Sequence, residues 1–149
     1  MNNEENGTPY NLYSVQLNNR VGQLNDFLPI LKDWNIIGLR IVNTGNTGLV
    51  QFILPFDVDE NDVINTLKNK GYWVTTLTYY GVFLDNTTKL LDTVITPLTK
   101  VGANITDTFV TTPLNGLTRM FVTFDNIEKG LPVLRTIPVP TTDKEPVAA

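Results

Sequence analysis

The sequence repeats itself once, at an offset of 67 residues. Apolar residues recur at this spacing in the pairs Val15 and Val82, Leu17 and Leu84, Leu24 and Leu91, and Leu31 and Leu98. Internal repetition sets the architecture of a chain before any single residue does. Two copies of one βαββαβ unit account for this repeat.

The composition is that of an ordinary globular protein. A chain of 149 residues buries roughly 68 to 70% of its extended surface on folding, enough for a real core. Hydrophobic residues make up 42% and charged residues 17%, and no apolar run approaches the roughly 18 residues of a spanning helix. The first eleven residues are polar and acidic, unlike a secretory signal. We therefore predict a cytoplasmic protein with no membrane partner.

The sequence contains no cysteine and no histidine. These absences exclude a thiolate nucleophile, an imidazole base, a disulfide framework and the usual zinc ligands. The net charge is -4, and the lysines and arginines are scattered singly, so no basic stripe is available to neutralise phosphates. We predict that the protein is not an enzyme, holds no metal or cofactor and does not bind nucleic acid.

The first copy of the unit shows all six elements. Residues 13–17 alternate as a half-buried strand does, and residues 23–34 carry apolar side chains at helical spacing. Residues 37–54 predict a hairpin, and residues 57–70 predict a helix with acidic residues first and Gly71 beyond its end. The aromatic and β-branched segment 72–84 predicts a strand that runs on into the second copy.

The second copy repeats the plan but stops early. It predicts a helix over residues 91–101, a hairpin of 105–111 with 118–124, and a helix over 127–135. No strand is predicted after this helix, because two prolines interrupt residues 137–140, and residues 141–149 are predicted to be a flexible tail. Pro29 and Pro97 lie inside the first helix of each copy, where we expect kinks.

The segment that we call the first loop, residues 19–24, carries a family resemblance. It reads Asn19, Arg20, Val21, Gly22, Gln23 and Leu24. This phrase resembles the ACT domain motif of Asp or Asn, Arg, any residue, Gly, any residue, Leu, and the whole chain resembles stand-alone proteins made of two ACT domains. The resemblance implies an α+β fold of two ferredoxin-like βαββαβ units, with antiparallel sheets and helices on one face. The units would span residues 12–80 and 81–140.

The resemblance also implies a function. ACT modules associate in pairs and bind a small ligand, most often an amino acid, where the first loop of one module meets a strand of its neighbour. Gly22 and Gln23 match the loop positions whose amides approach the ligand, Asn19 would hold its polar group, and Ile37 with Gly38 match the opposing strand. We predict a regulatory homodimer, with the aromatic residues of 72–83 at exposed edges.

The same residues also allow a ligand-free role. Gly22 alone is also typical of a helix start without a ligand, which would make the chain a structural or adaptor protein. A similar Asn, any, any, Gly, any, Leu phrase in the regulatory subunit of acetolactate synthase favours an adaptor that serves an enzyme of amino-acid metabolism. The acidic segment 57–62 suggests a calcium loop, but Asp62 and Lys68 stand where such loops need Gly and Glu.

The second loop, residues 85–90, departs from the motif. Lys89 stands at the position of Gly22 under the repeat offset. Because a lysine side chain hinders close approach of the backbone, we do not predict two equal sites.

Overall fold

A computed structural model gives the structure of residues 5–18, 20–111 and 117–140. Within these ranges the strands and α-helices follow in the order β1 (Thr8–Asn18), α1 (Gln23–Phe27), β2 (Gly38–Thr44), β3 (Thr47–Ile53), α2 (Glu60–Asn69), β4 (Val74–Leu84), α3 (Thr96–Lys100), β5 (Ile105–Thr111), β6 (Thr118–Phe124) and α4 (Ile127–Arg135). Further helical segments are 3₁₀ at Leu28–Asp33 and Thr87–Lys89, and π-helical at Leu90–Ile95. The predicted tail, 141–149, lies outside the described residues.

The chain divides into two compact units. One is formed by Tyr10–Thr78, and the other by residues 5–9 together with the described chain from Tyr79 onward. None of the helices in the described ranges is long and apolar enough to span a membrane.

The first unit is an antiparallel sheet covered by helices on one face. β3 pairs with β1 on one side and with β2 on the other, which leaves β2 at the edge. The predicted alternation of β1 is confirmed, since Tyr13, Val15 and Leu17 are buried against the helices. Phe27 of α1 and Leu67 of α2 close the core from the helix side.

Proline divides the first helical segment of each unit. In the first unit α1 ends at Phe27, and Pro29 stands in the first turn of the 3₁₀ segment, where its missing N–H is not needed. In the second unit the π-helical segment ends just before α3, whose first turn holds Pro97. The kinks expected from the sequence are therefore changes of helix type.

Helix α2 has the end signals that its sequence predicts. It starts at Glu60, three residues later than predicted. Asp59 caps its start, with its side chain accepting a hydrogen bond from the Asn61 amide at 3.1 Å. Gly71 follows its end with φ of 90°, a left-handed conformation that favours glycine. The acidic segment thus serves as a helix start, and the described residues contain no cluster suited to a metal ion.

The second unit has the same plan with one strand fewer after its last helix. β6 pairs antiparallel with β4 and with β5, so β5 forms the edge. Val82 and Leu84 of β4 pack against Val94, Leu98 and Leu134 from the helical segments. No strand follows α4 in the described residues up to Pro140, as predicted for a truncated unit.

Residues 5–9 complete the second unit beside β4. The Gly7 amide donates to the Gly81 carbonyl at 2.9 Å. The side chain of Asn6 accepts from the Phe83 amide at 2.7 Å and donates to the Ile137 carbonyl at 2.9 Å. Asn6 is only 3% exposed, so this segment is built into the unit.

The aromatic residues of β4 do not line an exposed edge, so that part of the expectation is wrong, although Trp73, just before the strand, is 77% exposed. β4 has neighbouring strands on both sides. Tyr79 is buried, the ring of Tyr80 lies 5.6 Å from that of Phe124, and Phe83 lies beneath Arg119.

Helix α4 packs closely on β6 through a glycine, which makes a testable prediction. A Cβ at Gly130 would lie 2.3 Å from Cε2 of Phe124, and that ring is 4% exposed. We expect Gly130→Ala to lower the free energy of unfolding by about 1 to 3 kcal/mol, despite alanine's better helix propensity. Urea denaturation measures the change, and a variant more stable than the parent would show that the ring simply moves aside.

Candidate functional site

The first loop forms one wall of a groove on the helix face of the first unit. The groove has a volume of about 90 Å³. Its lining comes from the loop and from β1, β2 and β3: Leu17, Asn18, Arg20, Gln23, Leu24, Ile41, Asn43, Gly48, Leu49 and Val50. Leu17 and Val50 are buried and give the groove an apolar floor.

Gly22 makes the turn into α1. Its φ is 90°, a left-handed conformation that side chains rarely adopt, and it stands at the N-cap without a side chain to cap the helix. A Cβ added here would find no atom within 4 Å. The turn therefore requires glycine for its backbone conformation, while the space beside it stays open.

The amides of the loop are only partly free. We expected the backbone of Gly22 and Gln23 to face outward, but the Gln23 amide donates to the Arg20 carbonyl at 3.2 Å. The Arg20 side chain turns back toward the same residue, with Nε donating to Oε1 of Gln23 at 3.0 Å. Because α1 has only five residues, its helix dipole attracts an anionic ligand only weakly. The cationic group beside the groove is Arg20.

The structure brings together most of the predicted loop residues. Arg20, Gln23 and Leu24 line the groove, and Gly22 makes the turn beside them. Val21 is fully exposed at the loop surface. Asn19 lies outside the described residues.

Ile37 and Gly38 lie far from the first loop within the same unit. Gly38 pairs with Ile53, whereas Asn43, which lines the groove, pairs with Gly48. Asn43 is five residue steps along the strand from Gly38, which corresponds to about 17 Å. One unit therefore does not bring the predicted strand residues and the loop to the same small ligand.

Ile41 and Asn43 form the wall opposite the loop and were not predicted. Ile41 pairs with Val50 through the strand register, which puts it on the same sheet face as the buried core. The alternation of residues 37–43 could have identified this face, whereas the family resemblance pointed to Ile37 and Gly38 at the other end of the strand.

The second loop differs from the first in the way it begins its helical segment. The Asn86 side chain accepts from the Thr88 amide at 3.0 Å, and Lys89 lies in the 3₁₀ turn. A larger cavity of the second unit, about 310 Å³, lies instead at the end of α3, lined by Ile95, Thr99, Gly102, Ala103, Asn104 and Ile105. The two loops thus offer different surroundings to a ligand.

Comparison with known proteins gives matches only among solved structures. No protein-family model and no curated protein matches the sequence. Protein BT0572 from Bacteroides thetaiotaomicron superimposes with a TM-score of 0.74 at 20% identity, covering 87% of this chain and 89% of that one.

Regulatory subunits of aspartate kinase are also similar. The subunit from Thermus thermophilus, in its ligand free form, has a TM-score of 0.57 at 14% identity over 90% of this chain and 93% of that one. The subunit from Thermus flavus has a TM-score of 0.51 at 11% identity over 90% and 99%. At such identities the likeness concerns the fold, and it confirms the predicted α+β fold of ferredoxin-like, ACT-type units.

Proposed function

We propose that this chain is a non-catalytic regulatory protein that binds an amino acid or a related metabolite in the groove beside the first loop. The observation that carries the proposal is that one small groove is lined both by a cationic side chain, Arg20, and by apolar residues at its floor. The fold likeness to aspartate kinase regulatory subunits supports a regulatory role. The absence of cysteine and histidine agrees with a role that needs no catalysis, and we place the protein in the cytoplasm.

The groove suits a zwitterion with a modest side chain. A ligand carboxylate would accept hydrogen bonds from the Arg20 guanidinium, whose planar fork matches carboxylate oxygens. Asn43 would contact a ligand amino group, and the apolar part would lie over Leu17 and Ile41. At about 90 Å³ the groove is smaller than the roughly 300 Å³ at which closed small-molecule sites begin. A second wall is therefore needed.

A second copy of the chain is our proposed source of that wall. β2 is an edge strand, and its apolar residues Leu39, Ile41 and Val42 are 47%, 41% and 38% exposed. Unpaired apolar edges of this kind favour association. In such a dimer, Ile37 and Gly38 of one copy would approach the first loop of the other, which the distance within one unit does not allow.

The dimer is tested by a charge on the edge strand. Light scattering at micromolar concentration is expected to give twice the chain mass for the parent and the single-chain mass for Val42→Lys, because a lysine cannot be buried unpaired at the interface. Val110→Lys is the matched control, since Val110 is also 38% exposed but lies on the edge strand of the second unit. A parent protein of single-chain mass would contradict the proposal.

The alternative is a ligand-free adaptor that acts as the regulatory subunit of an enzyme of amino-acid metabolism. The small volume of the groove favours it. Thermal unfolding with a panel of free amino acids separates the two functions. A rise in melting temperature with one ligand supports binding, whereas no change with any of them favours the adaptor.

A further inference from the structure

Arg119 of β6 lies on the helix-free face of the second unit, held by two aromatic rings. Its Cζ is 5.0 Å from the centroid of the Phe83 ring on β4 and 5.8 Å from that of Phe121 on its own strand. Both distances are within the range of cation–π attraction. Contact with two rings favours one orientation of the guanidinium.

One donor of this guanidinium, its Nε–H, nevertheless lacks an acceptor within the described ranges. Nε itself is buried. Arginine stays charged at any ordinary pH, and a buried N–H donor without an acceptor is unfavourable. By contrast, Nε of Arg40 donates to Oε1 of Gln51 at 2.9 Å.

The carboxylate of Asp107, on the same sheet face, is engaged by another residue. Asp107 accepts a hydrogen bond from the Tyr79 hydroxyl and pairs with Thr123 in the strand register. Thr123 is four residues from Arg119 along β6, which corresponds to about 13 Å. In the strand register Asp107 is therefore not a direct neighbour of Arg119.

We propose that Arg119 is the receptor of a second binding site, for the oxyanion group of a small molecule, either a carboxylate or a phosphate. A guanidinium offers such a group a planar fork of donors, and charge-assisted hydrogen bonds of this kind are about twice as strong as neutral ones. The rings of Phe83 and Phe121 favour one orientation of the fork, which reduces the entropy lost on binding. This site lies in the second unit and does not depend on the groove beside the first loop.

The test follows the arginine Nε–H signals of the full-length ¹⁵N-labelled protein by NMR. Inorganic phosphate and, separately, acetate are titrated at constant ionic strength with chloride as the balancing ion. We expect the Arg119 signal, assigned by its loss in Arg119→Met, to shift and saturate with phosphate, acetate or both. Which anion saturates it separates the phosphate from the carboxylate class. The Arg40 signal, already engaged with Gln51, is the internal control and is expected to stay in place.

Two variants test whether the guanidinium of Arg119 itself binds the anion. Arg119→Lys keeps the charge but loses Nε and the planar fork, so binding followed by calorimetry is expected to weaken about tenfold or more. Arg119→Met is expected to abolish it. If the Arg119 signal does not move, or drifts without saturating in parallel with that of Arg40, the anion site is ruled out. The titration of the parent protein decides this even if a variant fails to fold.

Discussion

Replacing Asn6 by alanine is expected to lower the free energy of unfolding by about 2 to 5 kcal/mol, because it leaves a donor and an acceptor unsatisfied in the interior. The Phe83 amide would lose its acceptor and the Ile137 carbonyl its donor. Both bonds are made by a side chain that is only 3% exposed, so water does not easily replace it. For a chain of this size the melting temperature is expected to fall by on the order of 10 °C.

Thermal unfolding and hydrogen exchange measure the effect of Asn6→Ala together. The Phe83 amide should exchange faster in the variant, since it alone loses its acceptor directly. Asn11→Ala is the matched control: the Asn11 side chain is half-buried and donates to Glu60 at 3.2 Å, so we expect a change below about 1 kcal/mol. Equal small effects of the two substitutions would show that residues 5–9 do not stabilise the second unit.

The order of elements followed from the sequence because hydrophobic period and helix-end signals are local. The alternation around Val15 and the acidic start and glycine end of α2 each specify one element without reference to the rest of the chain. The role of Asn6 could not be predicted in this way. A polar residue near the start of a chain has no periodic signal, and its partners Phe83 and Ile137 are more than seventy residues away.

The candidate site was predicted only in part, because some of its features are local in sequence and others depend on the fold. Gly22 was identified by its place in the motif of the first loop, and the structure shows why the turn needs glycine there, since its φ is 90°. The bond from the Gln23 amide to the Arg20 carbonyl depends on how the loop turns back on itself, which residue types do not reveal. Ile41 joins the groove through strand register, and register is set by pairing rather than by the strand's own sequence.

Binding of an amino acid in the groove is expected to give the largest stabilisation. At a hundred times its dissociation constant, a ligand that binds only the folded chain stabilises it by about 2.7 kcal/mol. This corresponds to a rise in melting temperature of roughly 5 to 11 °C for a chain of this size. A panel of the common amino acids, scanned by calorimetry, identifies which of them produces the rise.

Two glycine variants separate loss of the site from loss of stability. Gly22 and Gly71 both have φ of 90°, and in both an added Cβ meets no atom within 4 Å. Gly22→Val and Gly71→Val should therefore suffer similar backbone strain, of about 1 to 2 kcal/mol. Only the valine at the first loop stands beside the groove, so only Gly22→Val is expected to abolish the rise with ligand.

Lys89→Ala completes the experiment, because Lys89 occupies the position of Gly22 in the second loop. If the groove of the first unit is the site, this variant should keep the full rise with ligand, as should Gly71→Val. An undiminished rise in Gly22→Val would place the site elsewhere, and loss of the rise in Lys89→Ala would place it at the second loop. The proposal stands only if the response is lost with Gly22 and kept with the other two, since that pattern requires contact at the first loop.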